Sequence, residues 1–417
     1  LPTDLFIGDK NSLQNSNTNR RDFLKYLGFS TAAATLASCE GPVNRSIPYV
    51  VQPERIIPGI SNFYATSIAD GFDFANILIK TREGRPIKIQ NNSKAKVKSS
   101  ANARVQASVL SMYDSLRLKG PTKDGEDISW NQLNQTIISE LESLKDSNNE
   151  VVLLTQTFAS PSTEKIIKDF KGKYSNVRHV VYDAISDSKA LDAFEIAYGK
   201  RALPTYNFSN ADVIVSVGAD FLGDWQGGGH DSGYVKGRVP IKNGNQKAKM
   251  SKHFQLESNM SISGANADKR IALTPNQQKI ALARIYGYIS GNKFPGTLPE
   301  NIELSIKKIA DSLIKAGSKG VIINGLDDIN AHLLAYEINE LLKSLSFKKD
   351  ELSLIKQGND QEVLKLIKDL NSGKVKGIIM SGVNPAYTLP NSEDFISGIK
   401  KANFSVCFSM KNDETAS

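Results

Sequence analysis

The sequence predicts an α/β fold: two doubly wound, mostly parallel sheet domains behind a small β-rich N-terminal domain. From Glu150 onward, short uninterrupted apolar runs alternate with helical stretches, the pattern of strands buried on both faces and joined by crossovers. Before that point, apolar and polar residues alternate on either side of Arg82-Glu83-Gly84-Arg85, which marks a hairpin. A third observation is an internal echo: Gly218-Ala219-Asp220 and Gly382-Val383-Asn384 each close a buried run. Each is followed by a similar segment, Phe254-Gln255-Leu256 with Met260 and Phe404-Ser405-Val406 with Met410.

The elements follow in chain order. Residues 40–75 carry Pro42, Pro48, Pro53, Pro58 and Gly59 and read as an extended arm. Ala75–Thr81 and Pro86–Gln90 form the hairpin, and Ala103–Tyr113 reads as a helix. Trp130–Leu144 places Leu133, Ile137, Ile138, Leu141 and Leu144 on one helical face, with Ser129 as its N-cap. Val151–Thr155, His179–Tyr182, Ala211–Gly218, Gly320–Gly325 and Gly377–Met380 read as buried strands. Helices are expected at 162–171, 275–288, 329–344 and 361–370. The resulting domains are a signal or anchor segment (1–40), an arm (41–75), a small β-rich domain with helices (76–149), a first Rossmann-like domain (150–275) and a second, incomplete one (276–417). Ligands of such sheets bind beyond the carboxyl ends of the strands, so loops after Thr155, Gly218, Gly325 and Gly382 should line any cleft.

Composition narrows the chemistry. The chain has 417 residues, 40% of them hydrophobic and 23% charged, which suits a packed globular protein of two or three domains. Its two cysteines, Cys39 and Cys407, cannot supply a disulfide framework, a four-cysteine zinc site or the ligands of an iron–sulfur cluster. The four histidines are scattered singly. The net charge of +8 is concentrated between Asn76 and Gly120, where ten Lys and Arg face two carboxylates. Such a stripe suits an acidic partner subunit or anionic lipid, and with so few interleaved aromatics it suits nucleic acid least.

The N-terminus reads as an address. Arg20 and Arg21 precede Asp22-Phe23-Leu24-Lys25 and an uncharged stretch, Tyr26–Ser38, the pattern of a twin-arginine export signal. Leu36-Ala37-Ser38-Cys39 has the form of a lipobox, which makes Cys39 a lipidation candidate. The expected location is the periplasmic side of a bacterial inner membrane, peripheral or anchored. Motif by motif, no catalytic, cofactor-binding or metal-binding residue emerges. Gly227-Gly228-Gly229-His230-Asp231 fits no phosphate-binding pattern and reads as a flexible surface loop. Asp327-Asp328 and the pair Asp183 and Asp187 read as caps and loop charges.

Several stretches resemble the molybdopterin oxidoreductase family. They are Gly84–Ile89, Leu116–Pro121 with Ile128-Ser129-Trp130, Ala211-Asp212 through Asp220, Ala265–Asp268 with Ile271–Leu273 and Pro275, Gly382–Pro385, and Asn412–Ala416. The resemblance implies the fold above and places the metal-holding position near Asp183–Ser188, where Asp187 or Ser188 is chemically able to serve. Unlike most such oxidoreductases, the sequence has no cysteine between Cys39 and Cys407. Within the family it is most similar to the iron–sulfur subunits of alternative complex III, a membrane quinol oxidoreductase, through Phe254–Ser258 and Ser263–Arg270. That resemblance implies a scaffold without cofactor in these residues and with iron–sulfur clusters on a part of the subunit beyond them. It also implies a c-type cytochrome and integral membrane quinol-binding subunits as partners. The competing expectations are an exported molybdenum bis-pterin oxidoreductase subunit and an exported solute-binding module.

Overall fold

The computed structural model of the chain describes residues 53–70, 73–96, 101–240 and 249–417. The chain divides into two units, residues 1–56 and 57–417. Everything below concerns the second; Arg20, Arg21 and Cys39 lie outside the described residues.

Three antiparallel strands open this unit: β1 (Asn62–Asp70), β2 (Asp73–Arg82) and β3 (Arg85–Asn91), in the order β1-β2-β3. The expected hairpin is β2 and β3. The expected arm, however, ends earlier than residue 75, because Asn62–Asp70 pairs with β2 along its whole length, from Asn62↔Thr81 to Asp70↔Asp73. Most of β1 is exposed, so it shows none of the apolar alternation that reveals a half-buried strand. The opposite layer is α1 (Ala103–Ala107) and the 3₁₀ turn Ser108–Tyr113, in place of one continuous helix. Asn102 caps α1 by accepting from Val105 N at 3.0 Å. Val105 then packs under Ala75, Ile77 and Ile89.

A two-residue ladder, β4 (Thr122–Lys123) with β5 (Glu126–Asp127), leads to α2 (Trp130–Asp146). Ser129 and Gln132 form a reciprocal capping box at its start. The α/β body then runs β6 (Glu150–Thr155), α3 (Pro161–Lys173), β7 (Val177–Val181), α4 (Ser188–Tyr198), β8 (Leu203–Tyr206), β9 (Val213–Val217) and α5 (Asp231–Arg238). It continues through β10 (Lys252–Glu257), α6 (Ile262–Ala265), β11 (Lys269–Ala272), α7 (Pro275–Ser290), α8 (Glu300–Ala316), β12 (Gly320–Asn324) and α9 (Ile329–Leu341). The last elements are β13 (Phe347–Ser353), α10 (Asp360–Asn371), β14 (Val375–Ser381), α11 (Pro385–Thr388), α12 (Ser392–Ile399) and β15 (Phe404–Phe408).

Two four-stranded parallel sheets result, ordered β15-β14-β6-β7 and β11-β10-β9-β12. The fold class is therefore the expected one. Both faces of each sheet are covered. Val151 and Leu153 face Leu141 and Leu144 of α2, while Val152 and Leu154 share a cluster with Val363, Leu366 and Ile367 of α10 and Phe395 of α12. Likewise Val215, Leu256 and Ile322 meet Ile306, Ile309 and Leu313 of α8, and Ile214, Val321 and Ile323 pack toward Phe194 and Tyr336. These fully enclosed side chains contribute about 1.5–3 kcal/mol each relative to exposure.

The pairing departs from the expected division at 275/276. β6 and β7 join β14 and β15, while β9 joins β12, so the second sheet is inserted between the two halves of the first. All of these strands are apolar runs buried on both faces, which makes them equivalent as sequence patterns and leaves partner choice to three-dimensional packing. The echo seen in the sequence has a structural counterpart. β9 and β14 each pair with the next parallel strand, β10 or β15, on one side and with a strand from a distant part of the chain, β12 or β6, on the other. Gly218 and Gly382, just beyond them, both adopt φ of +68°.

Gly325 follows β12, and a Cβ there would meet the Gly218 carbonyl oxygen at 2.5 Å and Ala219 N at 2.8 Å. Gly325→Ala is expected to lower stability by about 1–3 kcal/mol because backbone must move. Gly172→Ala, in α3 with open space around the added methyl, is expected to raise it by about 0.5–1 kcal/mol. Urea midpoints of the two variants check both signs.

Candidate functional site

In a doubly wound sheet the binding crevice forms where successive connections leave in opposite directions. In the first sheet that point lies between β6 and β14. A cleft of about 330 Å³ opens there, lined by residues that follow all four strands: Gln156, Tyr182 and Asp183, Gly382 to Asn384, and Phe408 to Met410. Gly382 makes it possible. A Cβ at its left-handed conformation would lie 2.8 Å from the Gln156 amide carbon, so glycine lets the two loops meet at the floor.

Hydrogen bonds fix the walls. Tyr182 Oη lies 2.7 Å from Thr388 Oγ1, and the Thr388 hydroxyl donates to the Asn384 carbonyl at 2.8 Å. Asn384 Nδ2 donates to Glu414 Oε2 at 2.7 Å, and Thr415 Oγ1 donates to Asn384 Oδ1 at 2.6 Å. Two stretches singled out in the sequence, Gly382–Pro385 and Asn412–Ala416, are thereby brought together across 30 residues. Asp413 turns the chain back, its Oδ1 accepting from Thr415 N and Ala416 N and its Oδ2 from Ser409 Oγ.

Asp183 is buried and fully used. Its oxygens accept from Thr157 N (2.9 Å), Thr157 Oγ1 (2.6 Å) and Gly358 N (3.0 Å), which pins the 354–358 loop to the end of the first sheet. Ser188 is likewise engaged: Arg201 donates to its Oγ at 3.1 Å and also holds Asp192, Gln357 O and Gly358 O. Of the two residues that the family resemblance offers for a metal, Ser188 is thus committed to this loop. Asp187 is half-buried, and burial pushes its carboxyl up to about 6, with Lys356 pulling it down and Asp183 and Asp327 pushing further. Lys356 is buried, which lowers its ammonium against the pull of Asp183, Asp187 and Asp73. Arg104 joins this charged region to the N-terminal sheet through Asp73 (2.8 Å) and Asp224 (2.9 Å). Among the described residues, no group of three or more His, Cys, Asp or Glu is placed to share a metal ion.

The corresponding end of the second sheet is shut by protein. Gly325 presses on the backbone of Gly218 and Ala219, and the Gln278 and Leu326 side chains crowd Gly218. Asp220 accepts from Ser263 N and Oγ at 2.9 and 2.7 Å. Glu257 accepts from Ser261, Gln255 and Arg270. Burial would raise the Glu257 carboxyl, but these donors outweigh it and hold it below the usual range.

Nor is the glycine run a flexible loop. Gln226 to Gly229 are four consecutive left-handed residues, and a Cβ on Gly227 would strike Ile355 at 2.7 Å. His230 packs its ring against Phe208 and Trp225, with Nε2 enclosed and unpartnered. Burial lowers His230 to about 4 and keeps it neutral.

The fold family implies an anionic, phosphate-bearing pterin, and the open cleft does not fit it. Its lining holds Asp70, Asp183 and Asp413 but no Lys, Arg or His. Phosphate oxygens would face three carboxylates with no lining cation to offset them.

The enclosed imidazoles carry a pH signature. His230, His253 and His332 are each lowered to about 4, burial being the largest cause. The unfolded chain, near 6.5, therefore binds these protons more readily, so stability is full above about pH 6.5 and declines as pH falls toward 4. His230→Phe, which also removes the unpartnered nitrogen, is expected to flatten that decline by about 1 kcal/mol per pH unit, read from urea unfolding at pH 7, 6 and 5.

No family model matches the sequence, and no curated protein matches it. Solved structures do. Acetylene hydratase from Pelobacter acetylenicus superposes with a TM-score of 0.58 at 10% identity, covering 84% of this chain and 61% of that one. The formyltransferase/hydrolase complex from Methylorubrum extorquens gives a TM-score of 0.44 at 13% identity, over 67% of this chain and 81% of that one. This chain thus spans about three fifths of acetylene hydratase, and what the two share is the molybdopterin-oxidoreductase-like α/β fold.

Proposed function

We propose that this chain is a cofactor-free, molybdopterin-oxidoreductase-like scaffold, part of the iron–sulfur subunit of an exported quinol oxidoreductase of the alternative complex III type. One observation carries the reading. Of the two crevices the fold offers, one is sealed by the backbone of Gly218, Ala219 and Gly325, and the other is lined by carboxylates and amides without a cation. Both retain the architecture of a binding fold while their polar groups hold the protein's own loops together. In this reading the clusters lie on other residues of the subunit, and the present residues set their position against cytochrome and membrane subunits on the periplasmic side. The sequence features Arg20-Arg21 and the absence of cysteine between Cys39 and Cys407 support the same assignment.

Elemental analysis of the isolated complex, with oxidised-pterin fluorescence, tests the proposal. The expected result is iron without stoichiometric molybdenum, tungsten or pterin. One molybdenum or tungsten per chain accompanied by pterin would establish the bis-pterin enzyme instead.

A further inference from the structure

The three-stranded sheet buries one face under α1, and no strand or helix among the described residues packs on the other. Ala75, Ile77 and Ile89 point inward to Ala101 and Val105. Strand alternation places Lys80 and Arg82 of β2 on the outer face. Lys80 stands directly opposite Phe63 on one side and Lys88 on the other, and Arg82 stands opposite Arg85. The outer face therefore carries four cations in two adjacent cross-strand pairs, with Phe63 half-exposed beside them.

Like charges directly opposed across strands are destabilising. Among the described residues, Lys80, Arg85 and Lys88 make no ion pair. The Arg82 guanidinium donates only to the Gly59 carbonyl, at 3.1 Å. Glu83, at the hairpin tip, accepts from Gly59 N. Lys94 and Lys96 continue the charge beyond β3.

We propose that this face docks an acidic protein surface. The cations sit on paired strands at fixed register, with Phe63 on the neighbouring strand beside Lys80, an array suited to carboxylates held at matching intervals on a folded partner. Lipid association favours an amphipathic helix that inserts apolar side chains, and single-stranded nucleic acid favours a series of stacking aromatics; the face has neither. The inference gives the chemistry of one partner surface and stands whether or not the quinol-complex assignment holds.

The test uses the full chain and a fluorescent 20-residue polyglutamate as probe, at low salt. Lys88→Glu is expected to weaken probe binding about tenfold and, by creating a cross-strand Lys80–Glu pair, to leave Tm unchanged or raise it by about 1–2 °C. Lys88→Gln should give a smaller loss at unchanged Tm, which separates binding from folding. Lys307→Glu with Lys308→Glu, exposed on α8, should leave binding within twofold. The proposal is overturned if the α8 variant weakens the probe as much, or if Lys88→Glu and Lys88→Gln leave it unmoved. It is equally overturned if phosphatidylglycerol vesicles or duplex DNA bind more tightly than polyglutamate through Lys88.

Discussion

The parallel pairing of β14 with β6 governs the rest of the architecture. Val152↔Ile378, Leu153↔Ile379 and Leu154↔Met380 join segments more than 200 residues apart, and the whole second sheet lies in the connection between them. Closing so long a loop costs only logarithmically more entropy than closing a short one, so a few buried aliphatic pairs offset it. The same pairing sets the direction reversal that opens the cleft between Gln156 and Gly382. Without β14 in that slot, β6 would present a bare edge and the first sheet would have no crevice.

Charged groups reinforce this closure. Arg178 of β7 donates to Glu150 of β6 at 2.6 Å and to Glu362 and Asp369 of α10 at 3.1 and 2.8 Å, stitching the early strands to a late helix. Asp183 and Arg201 do the same for the 354–358 loop. A buried pair held by several hydrogen bonds contributes geometry more than net energy, because the desolvation cost nearly offsets the attraction. The polar residues around the cleft are therefore best understood as clamps on loops, with Asp187 a carboxyl that burial pushes up to about 6, still mostly ionised at neutral pH.

Much of the fold could be read from residues alone. Val151–Leu154, Val213–Val217 and Ile378–Met380 announce buried parallel strands because both faces exclude water, and Ser129 with Gln132 announces a helix start. Partner choice was not readable, since those runs are chemically interchangeable. β13 is not legible for the opposite reason: Phe347-Lys348-Lys349-Asp350-Glu351-Leu352-Ser353 is mostly charged and pairs irregularly with the short β8. Helix α8 carries Ile302, Ile306, Ile309 and Leu313 at helical spacing, but its start directly after the 295–299 stretch, with Pro295 and Pro299, obscures it. At the site, Gly382 and Glu414-Thr415 could be flagged as motifs, but their meeting through Asn384 depends on β14 and β15 lying side by side. The packed state of the Gly227–Gly229 run depends on Ile355, which no local pattern connects to it.

The interrupted first sheet also bears on how the protein is made. Ribosomes add roughly 5–20 residues per second, so β6 and β7 emerge roughly 10–40 s before β14 reaches them. Throughout that interval their unpaired edge is open to any other extended chain nearby, including a neighbouring nascent copy. The second sheet, continuous from β9 to β12, can assemble during the wait. Synthesis thus hands the cell an ordered inner module flanked by an unfinished one, a state in which a holdase chaperone would have most to protect.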